Sequence, residues 1–351
     1  MIKSITLKNF FSFEEQTVRL NPKVNLLVGI NGSGKSNFIK AFELLRFGIN
    51  EGTMQNLING HWGSKRIWNL GDLKKEKLIE LELVIDSKKI LNDKKENKDI
   101  AYRIGIPKVG DFIEEIDILG ETKKGHTTEN GDINLLSDRW VVQDRNLGKF
   151  KNFIKQTEIY ESIDISKQGA KQSNKLENGE SYNRLSPLFN NLAGLLNTMS
   201  TKPETEEAFN KIYKSINDIN VNLEGIHFGL HGGGLYIQIN NIPPNVMLGL
   251  DNISNGTIKF LVLMSILYNP NRGNIICIEE PEDGLHPDMI NMIAKGIKHA
   301  SKTSQMIVST HSPFLLNSFE FEDILIFEND EKNNTIVKEL SQDDFDDWTD
   351  D

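Results

Sequence analysis

The chain has 351 residues, 38% of them hydrophobic, with 40 Lys and Arg against 50 Asp and Glu, a net charge of −10. That length exceeds what one hydrophobic core usually organises, so two lobes are expected, and the apolar share suffices to fill them. The acidic balance excludes bulk, sequence-independent nucleic-acid affinity, which rests on phosphate neutralisation by Lys and Arg, while leaving room for a local basic patch.

The first residues, MIKSITLKNFFSF, carry no apolar segment with a small-residue cleavage site. The longest apolar stretch, Phe260–Leu267, is far shorter than a membrane span. A cytoplasmic protein without a membrane partner is therefore expected. Ile2–Leu7, Thr17–Leu20 and Val24–Val28 read as strands. Val24–Val28 leads into Gly29-Ile-Asn-Gly-Ser-Gly-Lys-Ser36, and a helix is predicted from Lys35 to Phe47, with Phe38, Ala41, Phe42 and Leu45 on one face.

Each fixed position of that loop has a physical reason. Gly29, Gly32 and Gly34 permit positive φ and let backbone N–H groups close on phosphate oxygens, with Asn31, Ser33 and Asn37 in the same cradle. The helix N-terminus adds its positive end. Lys35 would reach the β- and γ-phosphates and Ser36 would ligate Mg²⁺, so the loop implies ATP and magnesium as cofactors.

From Leu78 to Gln143 the pattern is antiparallel β, with Ile79–Leu83, Tyr102–Ile106, Phe112–Leu119 and Trp140–Gln143 as candidates. The polar stretches 120–134 and 166–184 read as exposed loops. Helices are predicted over 185–200 and 204–219, then a hairpin over Leu223–Asn240 interrupted at Gly232–Gly234. Lysines cluster at 74–77, 88–95 and 148–155, with Asp and Glu interleaved through most of this region, and read as a solvated surface.

A strongly apolar helix follows over Thr257–Leu267, and then three strand–helix units. Ile275–Ile278 is a strand buried on both faces, with Cys277 as a buried thiol, and it delivers Glu279 and Glu280 to the carboxyl edge of a parallel sheet, where ligands of open α/β sheets bind. Pro281 ends it. After the helix Pro287–His299, the strand Met306–Thr310 presents His311 at the same edge.

Together these elements resemble the ATP-binding-cassette-type ATPases of the RecF, SMC and OLD-like group, in particular stand-alone bacterial AAA-family ATPases. The resemblance covers about 1–50 and 222–328. IEEPEDGLHP is similar to that family's Walker B and D-loop, ISNGTIKFL to its signature loop, and STHS to its switch-histidine segment. It implies an α/β fold: an ABC-type P-loop ATPase head with a mixed central sheet, an antiparallel β lobe and an inserted helical region. The expected division is 1–60 for the first part of the head, 61–184 for the β-rich lobe, 185–221 for the helical insertion, 222–340 for the rest of the head and 341–351 for an acidic tail.

It further implies catalytic roles for Lys35, Glu280 and His311, and metal contact by Ser36 and Glu279. Ser254 and Gly256 would cap nucleotide held by another subunit, so the expected partner is a second copy in an ATP sandwich, with room for a higher oligomer. Glu279 departs from the family's usual Asp, His286 from the D-loop's final Asp, and Ile253 from Leu. Phe11 and Phe13 stand where some relatives carry basic residues. Gln143 is offered for the Q-loop.

Glu282 and Asp283 read as turn residues, and His286 as either a helix-start residue or an interface contact. His61, His126, His227, His231 and His299 show no metal-ligand spacing. Trp62, Trp68 and Trp140 read as packing residues. The stretch 342–351, with six Asp around Phe345 and Trp348, reads as a solvated terminus or a docking segment. Two uses of the ATP cycle follow. In one, an ATPase subunit of a bacterial multi-protein system, such as anti-phage defence, controls a separate effector protein, with nucleic acid not required. In the other, a RecF-like dimer clamps DNA. A non-hydrolysing scaffold is the third reading.

Overall fold

The computed structural model describes residues 1–50, 67–68, 78–91, 98–107, 113–126, 143–161, 163, 170, 174–175, 182–219, 222–231, 234–243 and 245–340. The chain opens with β1 (Ile2–Phe10), β2 (Phe13–Arg19), β3 (Val24–Val28) and α1 (Lys35–Asn50). Next come β4 (Ile79–Ile85), α2 (Ser87–Leu91), β5 (Ile100–Ile106), β6 (Ile113–Ile118), β7 (Glu121–His126), α3 (Arg145–Lys155), β8 (Thr157–Tyr160) and β9 (Asn174–Lys175). The second half holds α4 (Leu192–Thr201), α5 (Pro203–Ile219), β10 (Leu223–His231), β11 (Gly234–Asn241), β12 (Val246–Gly249) and α6 (Asn255–Tyr268). It closes with β13 (Ile275–Glu279), α7 (Pro287–Ala300), β14 (Gln305–Ser309), α8 (Pro313–Leu316), β15 (Ile324–Asn329) and β16 (Thr335–Glu339).

The central sheet has the order β16-β15-β3-β14-β13-β8. From β15 to β8 every neighbouring pair runs parallel, and β16 is antiparallel at one edge. Alternation along its strands divides the interior in two. Leu27, Ile275, Cys277 and Ile307 face a core shared with α1, α3 and the antiparallel sheet. Leu26, Ile276, Ile278, Met306 and Val308 face a second core built with α4 to α7. Period-2 side-chain direction thus lets one sheet, apolar on both faces of its central strands, glue two layers together.

The antiparallel sheet, in order β2-β1-β4-β5-β6-β7, buries one face: Ile5, Leu7, Leu81, Leu83, Tyr102 and Ile104 are all at most 1% exposed. The third sheet, β10-β11-β12 with β9 paired to β11, leans on α5. Helix α6 is apolar apart from Lys259 and a few small polar residues and is buried along nearly its whole length, as its sequence predicts for a helix inside a large protein.

Several expectations change. Residues 121–126 are strand β7, so the polar stretch begins one strand later; Lys and Thr on an edge strand facing water hide the pattern. The predicted helix 185–200 starts only at Leu192, because 182–191 forms turns held by Asn191, which donates to Arg184 O and accepts from Ser186 N. Gln143 is not in a strand. The third of the predicted strand–helix units is instead the hairpin β15–β16. Trp62, Trp140, His61, the Gly232–Gly233 interruption and the stretch 341–351 lie outside the described residues. Trp68 packs on the first core and bridges to Phe10.

Candidate functional site at the sheet edge

Because β3, β14 and β13 are parallel neighbours, their carboxyl ends emerge at one edge. There the loop 29–34 leaves β3, Glu279 and Glu280 leave β13, and Thr310 and His311 leave β14. Helix α1 starts at Lys35, its Phe38, Ala41, Phe42 and Leu45 buried at the predicted spacing. Its first N–H groups have no intrahelical acceptor and open onto the loop.

The loop is shaped by contacts on its rear side. A Cβ on Gly34, whose φ is +102°, would stand 2.1 Å from Thr335 Oγ1, and one on Gly29 would stand 2.2 Å from Phe327 O. Only glycine allows β15 and β16 to approach the loop so closely. Thr335 Oγ1 donates to Ser33 O at 2.9 Å and lies 2.7 Å from Ser12 Oγ, which accepts from Asn37 Nδ2 at 3.0 Å. Gly32, with φ +83°, faces open space at the exposed tip beside Asn31.

Lys35 is 6% exposed and its ammonium donates to Gly29 O at 2.8 Å and Ile30 O at 3.1 Å. Burial lowers its pKa, opposed by the charges of Glu280 and Glu279. Ser36 Oγ donates to Glu279 Oε2 at 3.3 Å. Burial holds the Glu279 carboxyl above the usual range, and the nearby Glu161 charge adds to this. These features fit a magnesium nucleotide. The loop offers an anion-sized cradle of N–H groups, the Ser33 hydroxyl is buried with no hydrogen-bond partner among the described residues, and the Ser36–Glu279 oxygens suit a hard divalent cation.

Glu280 sits at φ +42°, a left-handed conformation that costs a non-glycine residue about 1–2 kcal/mol. It is held there by its N–H, which donates to Ser309 O at 3.1 Å. His311 Nε2 lies 3.7 Å from Glu280 Oε1, both side chains partly open to solvent. Strain of this kind is retained where the surroundings over-determine it, commonly at functional sites.

Ser254 and Gly256 are placed elsewhere. Ser254 caps α6, accepting from Thr257 N at 3.2 Å, and Gly256 packs against the turn at Gly284 and Leu285. Among the described residues no side-chain hydrogen bond joins Ser254 to residues 29–37 of the same chain.

Gln143 precedes α3, whose N-cap is Asp144, and the strand that ends beside Glu279 is β8, with Tyr160 opposite Ile278 and Glu161 next. Phe13 is a core residue packed against Phe38, and Phe11 carries Lys40 Nζ over its ring at 4.7 Å. His286 Nδ1 accepts from Asp288 N at 3.4 Å and starts α7. Cys277 is fully buried, which pushes its thiol pKa up and leaves it inert.

Three residues escaped the sequence reading. Ser12 and Thr335 buttress the loop from 25 and 302 positions away. Glu282 lies in the turn as expected, yet its Oε1 accepts from Thr310 Oγ1 at 2.6 Å, His311 N at 2.7 Å and Ser312 N at 3.1 Å. Its acidity after Pro281 was visible; its partner segment was not.

Comparison with known proteins agrees with this geometry. The family described as AAA domain matches residues 4–225, more than half of the chain, and the chain belongs to that family. A second description, AAA domain, putative AbiEii toxin, Type IV TA system, matches residues 200–317. The DNA replication and repair protein RecF of Clostridium perfringens is 29% identical over 115 residues, 32% of this chain and 30% of that protein. RecF of Clostridioides difficile is 34% identical over 89 residues, 25% of this chain and 24% of that protein. The chain thus aligns with less than a third of the length of these relatives.

Among solved structures, the SmcHead bound to the C-winged helix domain of ScpA superposes with a TM-score of 0.64 at 17% identity, covering 98% of this chain and 99% of that one. The Smc head domain with an extended coiled coil from Pyrococcus furiosus gives 0.60 at 15%, covering 99% and 98%. At such identities the likeness is one of fold. Family and fold together make the chain an AAA-domain protein whose fold is like that of SMC heads.

Proposed function

We propose that the chain binds ATP with magnesium at the loop 29–37 and hydrolyses it as a dimer. The observation that carries this reading is the meeting of three strand ends, with Ser36 at 3.3 Å from Glu279 and His311 at 3.7 Å from Glu280. Lys35 and the loop amides hold the phosphates, and Ser36 with Glu279 holds the metal, which when bound neutralises charge developing on the transferred group. Glu280 accepts a proton from the attacking water, and His311 orients that water against Glu280.

Ser254 and Gly256 cap the nucleotide of the partner copy, the N-terminus of α6 supplying donors and a positive dipole. The capping of α6 by Ser254, which makes no side-chain hydrogen bond to the chain's own loop among the described residues, supports this arrangement, as do Ile30 and Phe314, which flank the site in sequence and are 71% and 51% exposed. Apolar side chains so open to water at a charged site suit a surface that a partner covers.

The ATP cycle in this reading controls a separate effector within a bacterial multi-protein system such as anti-phage defence. The net charge of −10 and the match to the AAA domain described as a putative AbiEii toxin favour it. The local matches to RecF favour a second reading, a DNA-clamping repair ATPase. Turnover measurements on the purified chain, with duplex binding at two salt concentrations in the ATP-bound state, test both. Hydrolysis without salt-sensitive duplex binding supports the first reading; tight, salt-sensitive binding supports the second. Absence of magnesium-dependent turnover contradicts hydrolysis itself.

A further inference from the structure

The turn 280–285 is fastened on two sides by groups that the proposed chemistry does not use. On one side, Glu282 Oε1 gathers three donors from the segment that carries His311: the Thr310 hydroxyl and the N–H groups of His311 and Ser312. On the other, Lys259 of α6, 7% exposed, donates to Glu280 O at 3.3 Å and Asp283 O at 2.8 Å. A carboxylate accepting several backbone N–H groups makes charge-assisted bonds, which are shorter and stronger than neutral ones and fix the direction of the peptide units they hold. The Thr310 hydroxyl also accepts from Ser312 N at 3.0 Å, so the segment is bound internally as well as to Glu282.

We infer that Glu282 is a positioning residue for His311: its carboxylate fixes the 310–312 backbone on the turn that Lys259 holds, and thereby sets the His311 ring against Glu280. Glu282 touches neither Glu280 nor the phosphate loop through any described hydrogen bond, so it acts through the histidine segment alone. Thr310 N also donates to Leu27 O at 3.1 Å and Ser312 Oγ accepts from Leu315 N at 3.4 Å, so Glu282 adds the link that ties this segment to the turn 280–285. The inference rests on the reading of Glu280 and His311 as the pair that handles the attacking water.

The test uses the full chain and four variants, E282A, E282Q, H311A and the double variant E282A with H311A. Glutamine keeps an acceptor oxygen at the same reach, so E282Q retains most of the turnover. E282A lowers kcat about tenfold or more while KM and ATP affinity stay within about twofold, the signature of a group that acts on the chemical step only. In the H311A background, E282A causes no further loss, because the two residues act as one unit. Amide hydrogen exchange of the peptide 306–316 provides a readout without turnover: protection at His311 falls in E282A and is kept in E282Q.

Unchanged kcat in E282A, an equal further loss in the H311A background, or unchanged amide protection would each overturn the inference. An unmodified chain that hydrolyses no ATP but shows the exchange difference would instead contradict the ATPase reading and leave the Glu282–His311 anchor standing.

Discussion

Ser36 and Glu279 meet across the site, the hydroxyl donating to the carboxylate at 3.3 Å. One is in the first turn of α1 and the other is the last residue of β13. The contact joins the loop 29–37 to the acidic sheet edge, and in the proposed function its two oxygens would hold a hard cation. Removing the carboxylate in Glu279→Ala is expected to raise the magnesium concentration for half-maximal turnover about 10- to 100-fold. Magnesium titrations of ATPase activity check this, and an unchanged requirement would remove Glu279 from the metal seat.

Glu280→Gln is expected to keep ATP affinity and lower turnover at least about 100-fold, since it removes the proton acceptor and leaves the loop intact. Single-turnover assays beside equilibrium nucleotide binding separate the two effects. Retained turnover would place the base elsewhere.

Gly34 tests the architecture of the loop. Its φ of +102° and the 2.1 Å that would separate an added methyl from Thr335 Oγ1 leave no room for alanine. Gly34→Ala is expected to cost about 1–3 kcal/mol of stability and most nucleotide affinity. Adding Thr335→Ala relieves the clash while the backbone strain stays, so thermal unfolding should recover in part.

Glu43, on α1, has its carboxyl pushed up to about 7, first by burial and then by the neighbouring Glu161 charge. The folded chain therefore holds this proton more tightly than the unfolded chain, where the carboxyl titrates in the ordinary range near 4.5. Stability from this group is present at low pH and is lost as pH rises from the ordinary range through about 7. Glu43→Gln should then raise the melting temperature relative to the unmodified chain more at pH 8 than at pH 5, by on the order of 2 °C. An equal shift at both pH values would contradict the assignment.

What was legible in the sequence was local. The apolar run Val24–Val28, the glycines at 29, 32 and 34 and the periodic face of α1 are set by neighbours within a few residues, and the structure forms those elements there. The acidic and histidine ends of β13 and β14 were readable for the same reason: a continuous apolar run signals a strand buried on both faces, and its end signals an edge. The supports of the site were not. Thr335 reaches Ser33 across 302 positions and Glu282 reaches His311 across 29, contacts that no periodicity announces. β8 supplies an outer strand of the central sheet in only four residues, too short for a pattern, so the position of Glu161 just after the strand paired to β13 went unread.

The most direct measurement mixes two inactive variants. Lys35→Ala disables a chain's own phosphate loop, and Ser254→Arg disables the cap it lends to its partner. If each site takes its loop from one copy and its cap from the other, equal mixing restores ATP hydrolysis to about a quarter of the unmodified rate, because half of the dimers carry one intact site of two. Mixtures no more active than either variant alone would contradict the account.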